Sequence, residues 1–421
     1  MKKIKISSFV YTIAIALSII GSGPTSQAFH SGGSGDCNGC HTMHEPNPYL
    51  LKGGDPGSTC LNCHMAVGRT SQQYYVGTND ADMSSGSPPL QLTPGGDFGW
   101  LKKNYSWMVE TGKTLNSLGE GHGHNIIAGN FSYLADTKNL TAPLGTYPSD
   151  KLSCISCHDP HGRYRRLANG SIASTGLPIV NSGSYTTSPN PDSDSAVGVY
   201  RLLAGKGYQP KYISGSYAFT ADPPAAVSPV SYNREESSID TRVAYGSGMS
   251  EWCENCHSDM GKGPSTVMRH PAGNLRKFSN KTISNYNSYV TSGNLGGNAV
   301  NSYTSMVPFE LGSSDYNVLK ITANSDGLDR NGPDTGKGNP NVMCLTCHRA
   351  HASGWDSMTR WNMKSQFVVY KGLYPAVDNN SPVEFAQGRT SAEVQQTFYG
   401  RFANSFASYQ RSLCNKCHAK D

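Results

Sequence analysis

Six copies of one five-residue block constrain this chain more than any other feature. Cys-x-x-Cys-His occurs at Cys37-Cys40-His41, Cys60-Cys63-His64, Cys154-Cys157-His158, Cys253-Cys256-His257, Cys344-Cys347-His348 and Cys414-Cys417-His418. The blocks use all 12 cysteines of the 421 residues. Thiols three residues apart lie about one helical turn from each other, so both reach the two vinyl groups of one porphyrin. The histidine that follows then faces the iron as its proximal ligand. The spacing therefore predicts six covalent c-type haems. Other chemistries fit less well. An even cysteine count in an exported chain would ordinarily mean disulfides, but those need no histidine at a fixed offset. Structural zinc takes two such pairs per metal, and a thioredoxin-like redox pair is a single C-x-x-C in a βαβ setting.

Composition agrees that side chains alone do not build the core. The chain has 46 Gly and 24 Pro, with only 36% hydrophobic and 15% charged residues. The usual charged share is about 25%, so the low charge argues against disorder, while the weak hydrophobicity argues against a conventional large core. Porphyrins would supply the missing apolar surface. Successive blocks begin 23, 94, 99, 91 and 70 residues apart, separated by segments rich in Gly, Ser, Asn, Pro and Tyr such as 85–89 and 187–194. Sustained helical or strand periodicity is scarce there. The expected fold is mostly irregular coil with few strands, and with short helices at the blocks and near 390–402. It forms a single elongated unit wrapped around six haems, with no internal domain boundary.

The first residues form an export signal. Lys2, Lys3 and Lys5 precede an apolar run from Phe9 to Ile20, and Ser26-Gln27-Ala28 supplies a small-x-small cleavage site. Residues 1–28 are thus expected to be removed, leaving a mature domain of residues 29–421. The apolar run is shorter than the roughly 20 residues a membrane span needs, and no later stretch is apolar enough. The mature chain is expected to be secreted through the periplasm, without a transmembrane segment.

Seven histidines lie outside the blocks: His30, His44, His122, His124, His161, His270 and His351. Six irons need six distal ligands, so every haem could be bis-histidine with one histidine to spare. Met is the other common distal ligand, but with enough His, Met43, Met65 and Met260 are read as packing residues. The first, third and fifth blocks extend to C-x-x-C-H-x-x-H, ending in His44, His161 and His351. A histidine three residues past a proximal ligand cannot pass round the macrocycle, so it is placed to ligate a neighbouring haem. The other distal ligands would come from His30, His270 and one of His122 and His124. No iron is obviously short of a ligand, whereas haem catalysis needs an open position. The expectation is an electron-transfer protein with no catalytic residues, and not an oxidoreductase acting on a small substrate.

The formal charge of +5 falls to +2 once the three signal lysines are removed. Each haem adds two propionates, offset by one net positive charge at ferric iron and none at ferrous iron, which takes the holoprotein to about −4 oxidised and about −10 reduced. Nucleic-acid binding has no support. Arg163, Arg165 and Arg166, just after the third block, suit either propionate pairing or a solvated surface.

The segments HSGGSGDCNGCHTMH, PGGDFGW, GHNIIAGN, CISCHDPHGRYRR, AYGSGMSEWCENCH, RHPAGN, CLTCHRAHASGWDSMTR and YQRSLCNKCHAKD resemble the OmcS-type hexahaem outer-surface cytochromes of metal-reducing bacteria. They span nearly the whole mature chain, with residues 71–85 and 364–390 matching least. The resemblance implies end-to-end polymerisation into an extracellular conductive filament (a cytochrome nanowire) that delivers electrons to metal oxides, partner cells or other cytochromes. It also implies bis-histidine ligation throughout, with distal ligands His30, His44, His124, His161, His270 and His351. His44 would bind the fifth-block haem of the adjacent subunit, and His122 is left as the spare. The alternative from the residues alone is a soluble periplasmic multihaem shuttle.

Overall fold

A computed structural model describes residues 37–44, 49–68, 70, 74–229, 243–260, 271–305, 307–324, 333 and 338–418. The export signal, its cleavage site, His30 and His270 lie outside them. Most of the described chain is coil, turn and single 3-10 turns, as the composition predicts. Helices are short: α1 (Cys37–Cys40), α2 (Pro56–His64), α3 (Met249–Cys253), α4 (Asn280–Ser288), α5 (Tyr316–Asn324), α6 (Cys344–Cys347), α7 (Val383–Ala386), α8 (Ser391–Thr397) and α9 (Cys414–His418). Five of these carry or end on attachment blocks, while the third block adopts only the 3-10 turn Cys154–Ser156. None of the described helices is long and apolar enough to cross a membrane.

Local chemistry sets the helix ends. Asp55 caps α2 by accepting from the Ser58 N–H, and Pro56 opens the helix where its missing N–H costs nothing. Thr390 and Glu393 form a reciprocal capping box on α8, inside the region where the sequence predicts a helix. Strand pairing is minor: β1 (Tyr105–Met108) with β2 (Thr114–Ser117), the order β4-β3-β5 for Ile172–Ala173, Arg165–Arg166 and Val197–Gly198, and β6 (Ala226–Val227) with β7 (Ala244–Tyr245).

The apolar interior is divided into separate clusters, several of which contain block cysteines. Leu61, Met65, Phe98, Ile126 and Tyr133 gather beside Cys154. Tyr200, Leu203, Met249 and Met343 gather beside Cys253, and Tyr286, Tyr303, Phe309 and Trp361 beside Cys347 and Cys417. Met65 is thus a packing residue, whereas Met43 and Met260 lie on the chain's surface, at 84% and 37% exposure.

Asp97 ties the first of these clusters together. Its carboxylate is fully buried and accepts from the Thr78 N–H (3.0 Å), the Thr78 hydroxyl (2.5 Å), the Gln91 N–H (2.9 Å) and the Gly99 N–H (2.7 Å). Burial pushes its pKa up to about 6 against those four bonds, so it is ionised at neutral pH. Each carboxylate oxygen faces a backbone N–H, so either orientation of an amide would set its NH2 against a donor. Asp97→Asn should therefore lower unfolding stability by about 2 kcal/mol, measured by denaturant titration at pH 7.

Candidate functional site

The described chain brings successive blocks together in sequence order. Helix α2 packs on the 3-10 turn of the third block, and α3 packs on α6. The Cys60 and Cys154 thiols interact directly, as do those of Cys253 and Cys344. Cys40 lies within electrostatic reach of Cys60 and Cys63, Cys256 of Cys157, and Cys347 of Cys414 and Cys417. In a haem-loaded chain these sulfurs are thioethers, so the contacts report proximity and not acid–base chemistry. All 12 cysteines are free of disulfides in the structure.

Five of the six block histidines share one arrangement. The Nδ1 of His41 meets the Tyr49 carbonyl at 3.0 Å, that of His64 the Tyr74 carbonyl at 2.7 Å and that of His158 the Arg201 carbonyl at 2.8 Å. His257 meets the Pro143 carbonyl at 2.7 Å and His348 the Ser357 carbonyl at 2.8 Å. A carbonyl only accepts, so Nδ1 carries the proton and the lone pair is left on Nε2. The carbonyls are aimed by unusual backbone. Leu50 and Leu144, which directly follow Tyr49 and Pro143, have φ of 53° and 55°. Arg201 and Ser357 are themselves left-handed, at φ 47° and 56°. Non-glycine residues pay about 1–2 kcal/mol for that conformation, and here it turns a carbonyl onto an imidazole.

Two further histidines face block histidines. The ring centroids of His158 and His351 are 6.5 Å apart, and those of His124 and His257 are 6.2 Å apart. An iron bonded to two imidazoles at about 2 Å each separates their centroids by about 6 Å, so a haem iron fits between either pair. His124 Nδ1 donates to the Ala350 carbonyl at 2.7 Å, and His351 Nδ1 lies 3.3 Å from the Gly96 carbonyl. Burial pushes the pKa of His124 down to about 4 and that of His351 to about 3, which keeps both rings neutral, as a metal ligand must be.

The segment 94–98 is shaped around His351. The His351 ring lies so close to Gly95 that a Cβ there would sit 2.8 Å from its Nδ1. Gly96, at φ +88°, approaches the Ala352 carbonyl, where a Cβ would fall at 1.9 Å. Phe98 stacks on the imidazole, with centroids 4.6 Å apart and planes 20° apart.

The remaining candidates are placed differently. His122 is fully buried, with Nδ1 on the Trp100 carbonyl (3.0 Å) and Nε2 on Ser117 Oγ (2.8 Å), so both ring nitrogens are engaged within the chain. His44 is exposed, and His161 is 74% exposed with Nδ1 3.9 Å from Asp159. His418 is exposed at the end of α9. The three arginines after the third block are held by the chain itself: Arg163 by Asp159 (2.9 Å), Arg165 by the Leu177 carbonyl (2.5 Å) and Arg166 by the Gly170 carbonyl (3.1 Å). Lys416, inside the sixth block, was not singled out by the sequence. It is fully buried, donates to the Tyr303 carbonyl and lies over the rings of Tyr286 and Tyr303 at 4.3 and 4.9 Å.

Adjoining attachment blocks with imidazoles facing across iron-sized gaps define a multihaem c-type cytochrome. Comparison with known proteins narrows this: the chain belongs to the OmcS family of c-type cytochromes. It is 50% identical to the C-type cytochrome OmcS of Geobacter sulfurreducens over 444 aligned positions, covering 100% of each protein. Two solved filament structures of OmcS from the same organism superpose with TM-scores of 0.83 and 0.84, at 50% and 51% identity. Each alignment covers 93% of this chain and 100% of the other. No protein-family profile matches the sequence.

Proposed function

We propose that this chain conducts electrons through six bis-histidine c-type haems and polymerises end to end into an extracellular filament serving acceptors such as metal oxides, partner cells and other cytochromes. The observation that carries the proposal is the two pairs of facing imidazoles at 6.2 and 6.5 Å, set among blocks that adjoin in sequence order. When bound, each haem supplies reversible one-electron exchange at iron. The chain does the rest. The twelve block cysteines fix the macrocycles covalently, and the six block histidines present Nε2 to the irons. His351 would complete the third-block site opposite His158, and His124 the fourth-block site opposite His257. His30, His44, His161 and His270 would serve the others, His44 across the subunit junction. Two histidines per haem would leave no ligand place for a substrate, so the reading is an electron carrier without catalytic residues. Residues 1–28 would direct export, leaving residues 29–421 as one haem-binding unit outside the cell.

Intact mass of the purified protein tests this reading. A chain starting at Phe29 with six haem additions is the expected result, together with an absorption spectrum of low-spin haem only. Fewer additions, or a high-spin haem in the assembled filament, would overturn it.

A further inference from the structure

His122 is left over by the ligand count, yet it is among the most completely buried side chains in the protein. We propose that it is a positioning residue, which fixes the segment carrying His124 and so sets the imidazole orientation at the fourth-block haem. The inference rests on His124 being the distal ligand there.

The His122 carbonyl accepts from the Ser353 N–H at 3.0 Å, Gly123 pairs antiparallel with Ala352, and the His124 N–H donates to the His351 carbonyl at 2.9 Å. Residues 122–124 and 351–353 thus run side by side, tying His124, which faces His257, to His351, which faces His158, through backbone. The contact is close: a Cβ on Gly123 would fall 2.3 Å from the His351 carbonyl oxygen. Any rotation of the 122–124 segment therefore moves the His124 ring.

The far end of that segment is anchored by the His122 ring. Its Nδ1–H donates to the Trp100 carbonyl, which leaves Nε2 as an acceptor facing Arg389 Nη2 at 3.4 Å, with Ser117 Oγ packed at 2.8 Å. Ser117 Oγ donates to Asp356 Oδ1 at 2.5 Å and accepts from Arg389 Nη2 at 2.8 Å. Arg389 is 1% exposed, donates to the carbonyls of Gly354 and Gln387, and is held over the rings of Tyr105 (4.1 Å) and Trp355 (4.5 Å). Asp356 is held in turn by Lys364 at 2.5 Å. The imidazole is thus fixed at both nitrogens by groups from distant parts of the chain, themselves fixed by further bonds. A ring held only by packing would need none of this. Networks of this kind orient metal ligands, and changing them alters the metal's properties without removing it.

The test is the filament protein carrying His122→Phe, which keeps a flat ring and removes both hydrogen bonds. Six haems should remain bound and low-spin, while one of the six shows a shifted reduction potential and shifted paramagnetic-resonance g-values. His122→Asn, which retains a donor toward the Trp100 carbonyl, should return that haem part of the way. Should the Phe variant fail to fold, Ser117→Ala leaves the bond to the Trp100 carbonyl, removes the Nε2 contact together with the Ser117 bonds to Asp356 and Arg389, and should shift the same haem less. Six unshifted haems in a folded Phe variant, or in Ser117→Ala where that variant must be used, would overturn the proposal. His124→Ala checks the underlying assignment separately and should give one high-spin haem. If His124→Ala stays low-spin while His122→Phe turns high-spin, His122 is the ligand and both readings fail.

Discussion

Replacing His44 by alanine is expected to leave subunits folded and loaded with six haems but to abolish long filaments. His44 follows the first block by three residues, beyond α1, and is exposed. A ligand offered by one subunit to a haem of the next makes a head-to-tail contact, and repetition without closure yields a filament. If that coordinate bond contributes about 4 kcal/mol to each junction, its loss raises the concentration needed for assembly about a thousandfold. Electron microscopy with size-exclusion chromatography checks this: short oligomers or monomers support the account, and micrometre filaments from the variant oppose it. His44 is exposed and belongs to none of the buried clusters, so little loss of subunit stability should accompany the substitution.

The second large effect is expected at His351. His351→Ala should convert one of six haems to high-spin, because the ring removed is the one that faces His158 across 6.5 Å. Free imidazole added to the variant should restore the low-spin signal, which separates loss of a ligand from general unfolding. Gly95→Ala tests the same site indirectly. Its new methyl would press on a ring already stacked on Phe98 and bonded toward the Gly96 carbonyl. We expect an altered potential at that haem, with partial high-spin character at higher temperature. An unchanged spectrum in His351→Ala would mean that another side chain ligates the third-block iron.

The attachment chemistry was legible from spacing alone, because covalent haem capture demands two thiols and a histidine at fixed offsets. The irregular fold was also legible, since glycine- and proline-rich segments cannot sustain helices or sheets, and Thr390 with Glu393 announced α8 through its capping box. Partner choice among the distal histidines was not legible. His122 and His124 are two residues apart in one glycine-rich segment, and only the fold shows that Trp100 and Ser117 engage the first ring while Ala350 orients the second. The carbonyls of Tyr49, Pro143, Arg201 and Ser357 left no trace either. Any residue supplies a carbonyl, and left-handed Leu50, Leu144, Arg201 and Ser357 are not the glycines one would look for in that conformation. Arg163, Arg165 and Arg166 looked equally suited to propionates or to solvent, yet their donors meet Asp159 and backbone carbonyls. Lys416 was hidden because the variable positions of a C-x-x-C-H block carry no expectation of burial.

The most direct test of the wire is the spin state of its haems by electron paramagnetic resonance on oxidised, size-separated material. Large assemblies should contain low-spin haem only, and dissociation into subunits should expose about one high-spin haem per subunit as the shared His44 is withdrawn. Six low-spin haems in a stable monomer would contradict the account, leaving a self-contained carrier with no ligand shared between subunits.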